Sequence, residues 1–279
     1  ITRPGTVSST RYVPDSIAKP SYATSGIVVG VPKEMEVKSA DQIARMRESC
    51  RLAKMIVNRV SKCIKAGVTT DELDKFAHSL CIEHNAYPSP LNYRWFPKSV
   101  CTSVNNKVCK LSVSNRGPSG YECNAEPIVF YNGYHGDCAE THVVGGSVDD
   151  RGRALVHTAE ECLNRAIQVC GPGQPLREIG RVIRWVTMPH SLYMKHLSVP
   201  FVSAVASTVP QLSAHENEEE GEMFEGLVFT IEPVISEGSP EITILDDGWT
   251  AVTTDQSRTA QFEHTVYICS EGAEVLTVL

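Results

Sequence analysis

Three carboxylates stand in apolar, β-prone surroundings in this 279-residue chain. Glu232 closes the run Glu225–Glu232 (E-G-L-V-F-T-I-E), Glu263 lies in Gln261-Phe262-Glu263-His264-Thr265, and Asp137 follows Ile128–Tyr131 in Tyr131-Asn132-Gly133-Tyr134-His135-Gly136-Asp137. Such runs normally form buried strands. A buried carboxylate costs several kcal/mol unless a cation or a hydrogen-bond donor compensates it. Any one of the three could be satisfied separately by Arg, Lys or backbone N–H. Three acids at strand positions point instead to one shared cation site.

The elements that must position them can be read in order. Residues 1–38 begin rich in Pro, Ser, Thr and Gly with little periodicity, and predict an extended arm on the surface. The ordered domain is expected over 39–279. Ser39-x-x-Gln42 is a capping box, followed by Ile43, Met46, Cys50, Ala53 and Val57 at helical spacing. That pattern predicts a helix of roughly 24 residues ending at Gly67. Thr69-x-x-Glu72 caps a second helix with Leu73, Phe76, Ala77 and Leu80 on its apolar face.

Prolines 88 and 90 mark a loop, and the residues around Cys101 suit a strand that ends at the turn Asn105-Asn106. Pro127–Tyr131 predicts another strand, Asn132-Gly133 a hairpin turn, and Asp137–Val144 the return strand. Residues 151–170 and Leu176–Val186 predict a second long-then-short helix pair, so the chain reads as a twofold repeat with a site between the halves. Further strands are expected around Glu232, at Ile242–Leu245 and at Glu263–Ile268. The acidic run Glu216–Glu222 reads as solvated surface.

The net charge of −7 argues against a nucleic-acid-binding surface. No apolar stretch approaches the roughly 18–20 residues that span a bilayer, so no membrane partner is expected. Ten cysteines without a C-x-x-C pair predict reduced thiols, mostly small core residues, in a cytosolic or organellar-matrix protein.

Five motifs in order, Tyr87-Pro88-Ser89-Pro90-Leu91, Phe96-Pro97-Lys98-Ser99-Val100-Cys101-Thr102-Ser103-Val104-Asn105, Tyr134-His135-Gly136-Asp137, Phe229-Thr230-Ile231-Glu232-Pro233 and Gln261-Phe262-Glu263-His264-Thr265, resemble those of the type I methionine aminopeptidases. Val13-Pro14-Asp15 and Lys19-Pro20-Ser21-Tyr22 are similar to the eukaryotic organellar members. The resemblance implies a mitochondrial protein without its transit peptide, a cytoplasmic one being the alternative. It also implies an α+β, pseudo-twofold "pita-bread" fold, a curved antiparallel sheet with outer helices. It further implies up to two divalent cations (Mn, Co, Fe or Mg), a polypeptide N-terminus as substrate, ribosome association and a monomer.

On the same basis Asp137 and Glu263 match the bridging metal ligands, Glu126 the first metal-binding Asp eleven residues before Asp137, and Glu232 both a ligand and the group that takes the proton of the attacking water. Tyr93, Phe96, Cys101 and Trp249 match the lining of a narrow methionine pocket, although ordinary core packing would explain any one of them. The chain also departs from the pattern. The family's substrate-contacting His is Lys110, its imidazole metal ligand is Pro200, and its carbonyl-contacting His is Ser207. Glu126 stands where the family has Asp, and Pro127 should cost a ladder bond in an interior strand. These departures imply an impaired enzyme. The alternatives are a catalytically dead relative that binds peptides or proteins through the same cleft, and a misread gene over residues 107–127 and 197–224.

Overall fold

The computed structural model describes residues 8–28, 35–109, 121–188, 193–195 and 221–279. Helix α1 (Ala40–Ser61) starts as its capping box predicts, with the Ser39 hydroxyl accepting from the Gln42 amide and the Gln42 side chain accepting from the Ser39 amide. It stops six residues short of Gly67. The amides of Cys63 and Ile64 bond three residues back, to Val60 and Ser61, so the chain tightens and leaves the α-helical path before the glycine. Helix α2 (Thr70–Glu83) opens on the second capping box, at Thr69 and Glu72. Helices α3 (Asp150–Gln168) and α4 (Arg177–Thr187) form the second pair, α3 capped by Asp149 on the Gly152 amide.

Each helix pair covers its own core. Ala53, Ile56 and Val57 of α1 pack with Leu73 and Leu80 of α2 against Ala125, Val129 and Cys138 of the sheet. Leu155 and Cys162 of α3 pack with Ile179 and Ile183 of α4 against Phe229, Ile231, Val266 and Ile268. The twofold order of the sequence is thus a twofold order in space. Among the described helices none is long and apolar enough to cross a membrane.

Between the pairs runs an antiparallel sheet in the order Gly272–Val275, Glu263–Cys269, Cys138–Val144, Tyr121–Glu126, Cys101–Val104, with Val228–Ile231 also paired to Glu263–Cys269. A separate hairpin pairs Val129–Tyr131 with Tyr134–Gly136 across Asn132 and Gly133, both at positive φ as a type I′ turn requires. Strand Tyr121–Glu126 ends at Glu126, so Pro127 lies outside the ladder and costs it no hydrogen bond, contrary to the sequence expectation.

The N-terminal stretch also differs from expectation. Val13, Ile17 and Tyr22 are buried with Tyr87, Leu91, Tyr93, Phe96 and Ile128 in a third apolar cluster, because spaced apolar residues in a proline-rich segment bury as well as periodic ones when a groove receives them.

Candidate metal centre

The strand registers bring the acids together. Cys101 pairs with Glu126, and Glu263 pairs with Ala139. Ala125 pairs with Glu140 and His264 with Ile231, so continuing each register by one residue sets Glu126 opposite Ala139 and Glu232 opposite Glu263. Cys101, Glu126, Ala139, Glu263 and Glu232 therefore form one row across five strands. Directly paired antiparallel residues share a face, so the row's side chains emerge on one side of the sheet. Asp137, two residues before Ala139, falls on that side as well. Ala139 has only a methyl group, which leaves the space between Glu126 and Glu263 open.

Carboxylate oxygens of Glu126, Asp137 and Glu263 lie within 4.8 Å of one another, and all three residues are buried. Contrary to the sequence expectation, Asp137 and Glu232 do not occupy strands. Each sits in a break between two strands: Asp137 between Tyr134–Gly136 and Cys138–Val144, Glu232 between Val228–Ile231 and Val234–Ser236. Pro233 supplies no amide to continue the ladder after Glu232. At Asp137 the backbone carbonyl accepts from the Thr265 hydroxyl at 2.7 Å, which fixes the break. Gly136 lets α1 come close beside it, since a Cβ there would lie 2.4 Å from the Ser49 backbone carbonyl.

No arginine or lysine among the described residues forms an ion pair with Asp137, Glu232 or Glu263. Among the described residues, all four carboxylate oxygens of Asp137 and Glu263 are buried with no hydrogen-bond donor from outside the acidic cluster. Burial pushes both residues well above the ordinary carboxylate range, and the other acids push further: Glu232 acts on Asp137, and Asp137, Glu232 and Glu126 act on Glu263. Burial likewise lifts Glu232 to about 8, against the downward pull of its hydrogen bond from Gln261. Glu232 is the one of the four that keeps partial solvent access. Buried acids crowded together with unanswered lone pairs are the donor set of a hard divalent cation, so the residues present fit one.

Gln261 is the functional residue that motif reading passed over. Its Nε2 donates to Glu126 at 3.3 Å and to Glu232, so one amide ties the fourth acid to the other three. The Thr141 hydroxyl accepts from the Gln261 backbone N–H at 2.9 Å and donates to the Gln261 backbone carbonyl at 2.7 Å, while the Asn124 side chain donates to the same carbonyl at 3.2 Å. Alternation was the available signal, because Gln261 stands two residues before Glu263. The cysteines behave as expected. Nine cysteines among the described residues form no disulfide, and burial lifts the thiols of Cys50, Cys81, Cys162 and Cys170 to about 12, the behaviour of protonated core residues.

Tyr93, Phe96, Cys101 and Trp249 come together in the third apolar cluster. The Phe96 and Trp249 rings meet edge-on at 5.3 Å, and Cys101 heads the row that carries Glu126 and Glu263. This apolar cluster and the acidic cluster thus meet at the row headed by Cys101. Lys110, Pro200 and Ser207, the positions where the family pattern has histidines, lie outside the described residues, as do residues 196–220 and with them most of the run Glu216–Glu222.

A family model for metallopeptidase family M24 matches residues 44–270. The chain is 44% identical over 281 residues to "Methionine aminopeptidase 1D, mitochondrial" of Homo sapiens, covering 100% of this chain and 84% of that protein. This chain belongs to the type I methionine aminopeptidases of family M24. An Arabidopsis thaliana relative, "Methionine aminopeptidase 1D, chloroplastic/mitochondrial", is 42% identical over 277 residues, covering 99% of this chain and 79% of its own. The crystal structure of the methionine aminopeptidase from Rickettsia prowazekii superposes with a TM-score of 0.81 at 30% identity, covering 88% of this chain and 100% of that one. The fold is therefore the pita-bread fold, and membership of a metallopeptidase family agrees with the acidic cluster.

Proposed function

We propose that this chain is a metal-dependent aminopeptidase that removes methionine from the N-termini of nascent or newly imported polypeptides. The observation that carries the reading is the convergence of the buried carboxylates of Glu126, Asp137 and Glu263 beside the apolar cluster of Tyr93, Phe96 and Cys101. Glu126, Asp137 and Glu263 would hold a divalent ion, and Glu232 would contribute to a second. Mn, Co, Fe and Mg all suit carboxylate ligands. When bound, such ions make a water acidic at neutral pH and polarise the scissile carbonyl.

The chain's own residues supply the rest. Glu232, with its partial solvent access, accepts the proton of the attacking water, and the Gln261 amide holds its carboxylate towards the cluster. Tyr93, Phe96, Cys101 and Trp249 receive the unbranched methionine side chain in an apolar enclosure that excludes water. Lys110, Pro200 and Ser207 provide no imidazole. Each absent histidine that would stabilise transition-state charge is expected to lower turnover on the order of 10²-fold or more. The names of the relatives support a mitochondrial location. Action as a monomer on chains emerging from ribosomes completes the reading.

The test is release of free methionine from a Met-Ala peptide by the Mn²⁺-loaded protein. Slow release that is abolished by Glu232→Gln is the expected result. Binding of the peptide with no release above that variant would show a peptide-binding module instead.

A further inference from the structure

The stretch that carries two of the pocket aromatics is strained. Asn92, Arg94 and Trp95 have φ of +59°, +47° and +68°, three left-handed residues within four positions, none of them glycine. Bulky residues hold such conformations at a cost, and only where their surroundings over-determine them. Tyr93 and Phe96 lie within and directly after this stretch.

The stretch closes on itself through the Asn92 backbone amide, which donates to the Phe96 carbonyl at 2.7 Å, and the N-terminal arm braces it from outside. The Asn92 side-chain amide donates to the Ala23 carbonyl at 2.9 Å. Gly26 passes so close under Trp95 that a Cβ there would lie 2.6 Å from the indole ring. Tyr22, buried between them, meets Tyr93 edge-on at 5.1 Å and donates its hydroxyl to the Ser89 carbonyl at 2.7 Å. On its other side the Tyr22 ring stacks on His135 at 6.3 Å, and His135 is bonded to the Ser89 hydroxyl at 2.9 Å. The arm is fastened further back as well, by Arg11 to Asp74 at 2.8 Å and by the Tyr12 carbonyl to His78 at 3.0 Å.

We infer that residues 20–26 are a built-in wall of the methionine pocket, with Tyr22 the positioning residue that holds Tyr93 in place and so sets side-chain selectivity. The inference rests on the proposed function for the identity of the ligand. It assigns the arm a role in choosing the substrate, not in holding metal.

The experiment measures Mn²⁺ affinity and, by equilibrium binding and by cleavage, the preference for Met-Ala over Leu-Ala peptides. It compares wild type, Tyr22→Phe, Tyr22→Ala, Gly26→Ala and Lys19→Ala, the last a solvent-facing control. Tyr22→Ala and Gly26→Ala are expected to lower the methionine preference by roughly tenfold or more, the worth of a methylene or two in such a pocket. Mn²⁺ affinity should stay within about twofold, and KM should rise more than kcat falls. Tyr22→Phe keeps both ring contacts and should retain most of the preference, and Lys19→Ala all of it. Should Tyr22→Ala fail to fold, Gly26→Ala decides. A wild type that selects methionine while folded Tyr22→Ala and Gly26→Ala select it equally well overturns this inference alone. Joint loss of selectivity and Mn²⁺ binding in those variants overturns it too, by reducing the arm to general support. A wild type with no preference for methionine overturns the proposed function and this inference with it.

Discussion

Removing the cation should make stability fall as the pH rises, and Glu232 sets the scale. Its carboxyl keeps its proton to about 8 in the folded chain and loses it near the ordinary value of 4.5 once unfolded. Between those values the unfolded state binds fewer protons than the folded one, so the stabilisation present below the unfolded value is lost as the pH climbs through the folded one. From 4.5 to neutrality is about 2.5 units, and at about 1.36 kcal/mol per unit that is on the order of 3 kcal/mol. For a chain of this size, about 3 kcal/mol is roughly 6–12 °C in Tm. Asp137 and Glu263 shift in the same direction and can only steepen the slope. Melting the chelator-treated protein by circular dichroism from about pH 5 to about pH 8 should therefore show a falling Tm. Saturating Mn²⁺ should flatten or reverse the fall, because metal competes better with fewer protons. A metal-free Tm that is level or rising over that window would refute the claim that these acids are buried without compensation.

Asp137→Asn should abolish metal binding and make the metal-free fall of Tm with pH shallower, since it removes one of the carboxyls whose proton burial holds; titration and melting read the two. Ala139→Val puts two methyls between Glu126 and Glu263, and should cost about 1–3 kcal/mol in overpacking together with most of the Mn²⁺ affinity, measured by titration. Arg258→Met breaks a cluster in which that guanidinium meets Glu122 at 3.3 Å, Asp149 at 2.8 Å and Glu237 at 2.7 Å. Burial already lifts Glu122 to about 7 despite Arg258, so losing the arginine should cost about 3–5 kcal/mol in urea unfolding while metal affinity is untouched.

Much of the site was legible because its parts are local signals. The capping boxes at Ser39 and Thr69 placed α1 and α2 at their starts, Asn132-Gly133 announced its hairpin, and acids in apolar runs pointed to a shared buried cluster. What was not legible depended on partners far along the chain. Glu126 was named by the resemblance alone: it joins Asp137 and Glu263 because the registers carry it across Ala139, and one sequence contains no register. Gln261 looked like a polar residue in a motif until three dimensions put its amide between two carboxylates. The arm misled because burial was sought through periodicity, and Tyr22 is buried by a groove that other segments build. The helix end at Gly67 misled for a smaller reason: backbone bonds at Cys63 and Ile64 ended α1 before the residue that normally ends one.

Titrating Mn²⁺ into the purified wild-type protein and into Glu263→Gln at neutral pH bears most directly on the central claim. Saturable binding to the wild type with proton release, lost in the variant, is what a cation site built from Glu126, Asp137 and Glu263 predicts. A wild type that takes up no more Mn²⁺ than Glu263→Gln would contradict it.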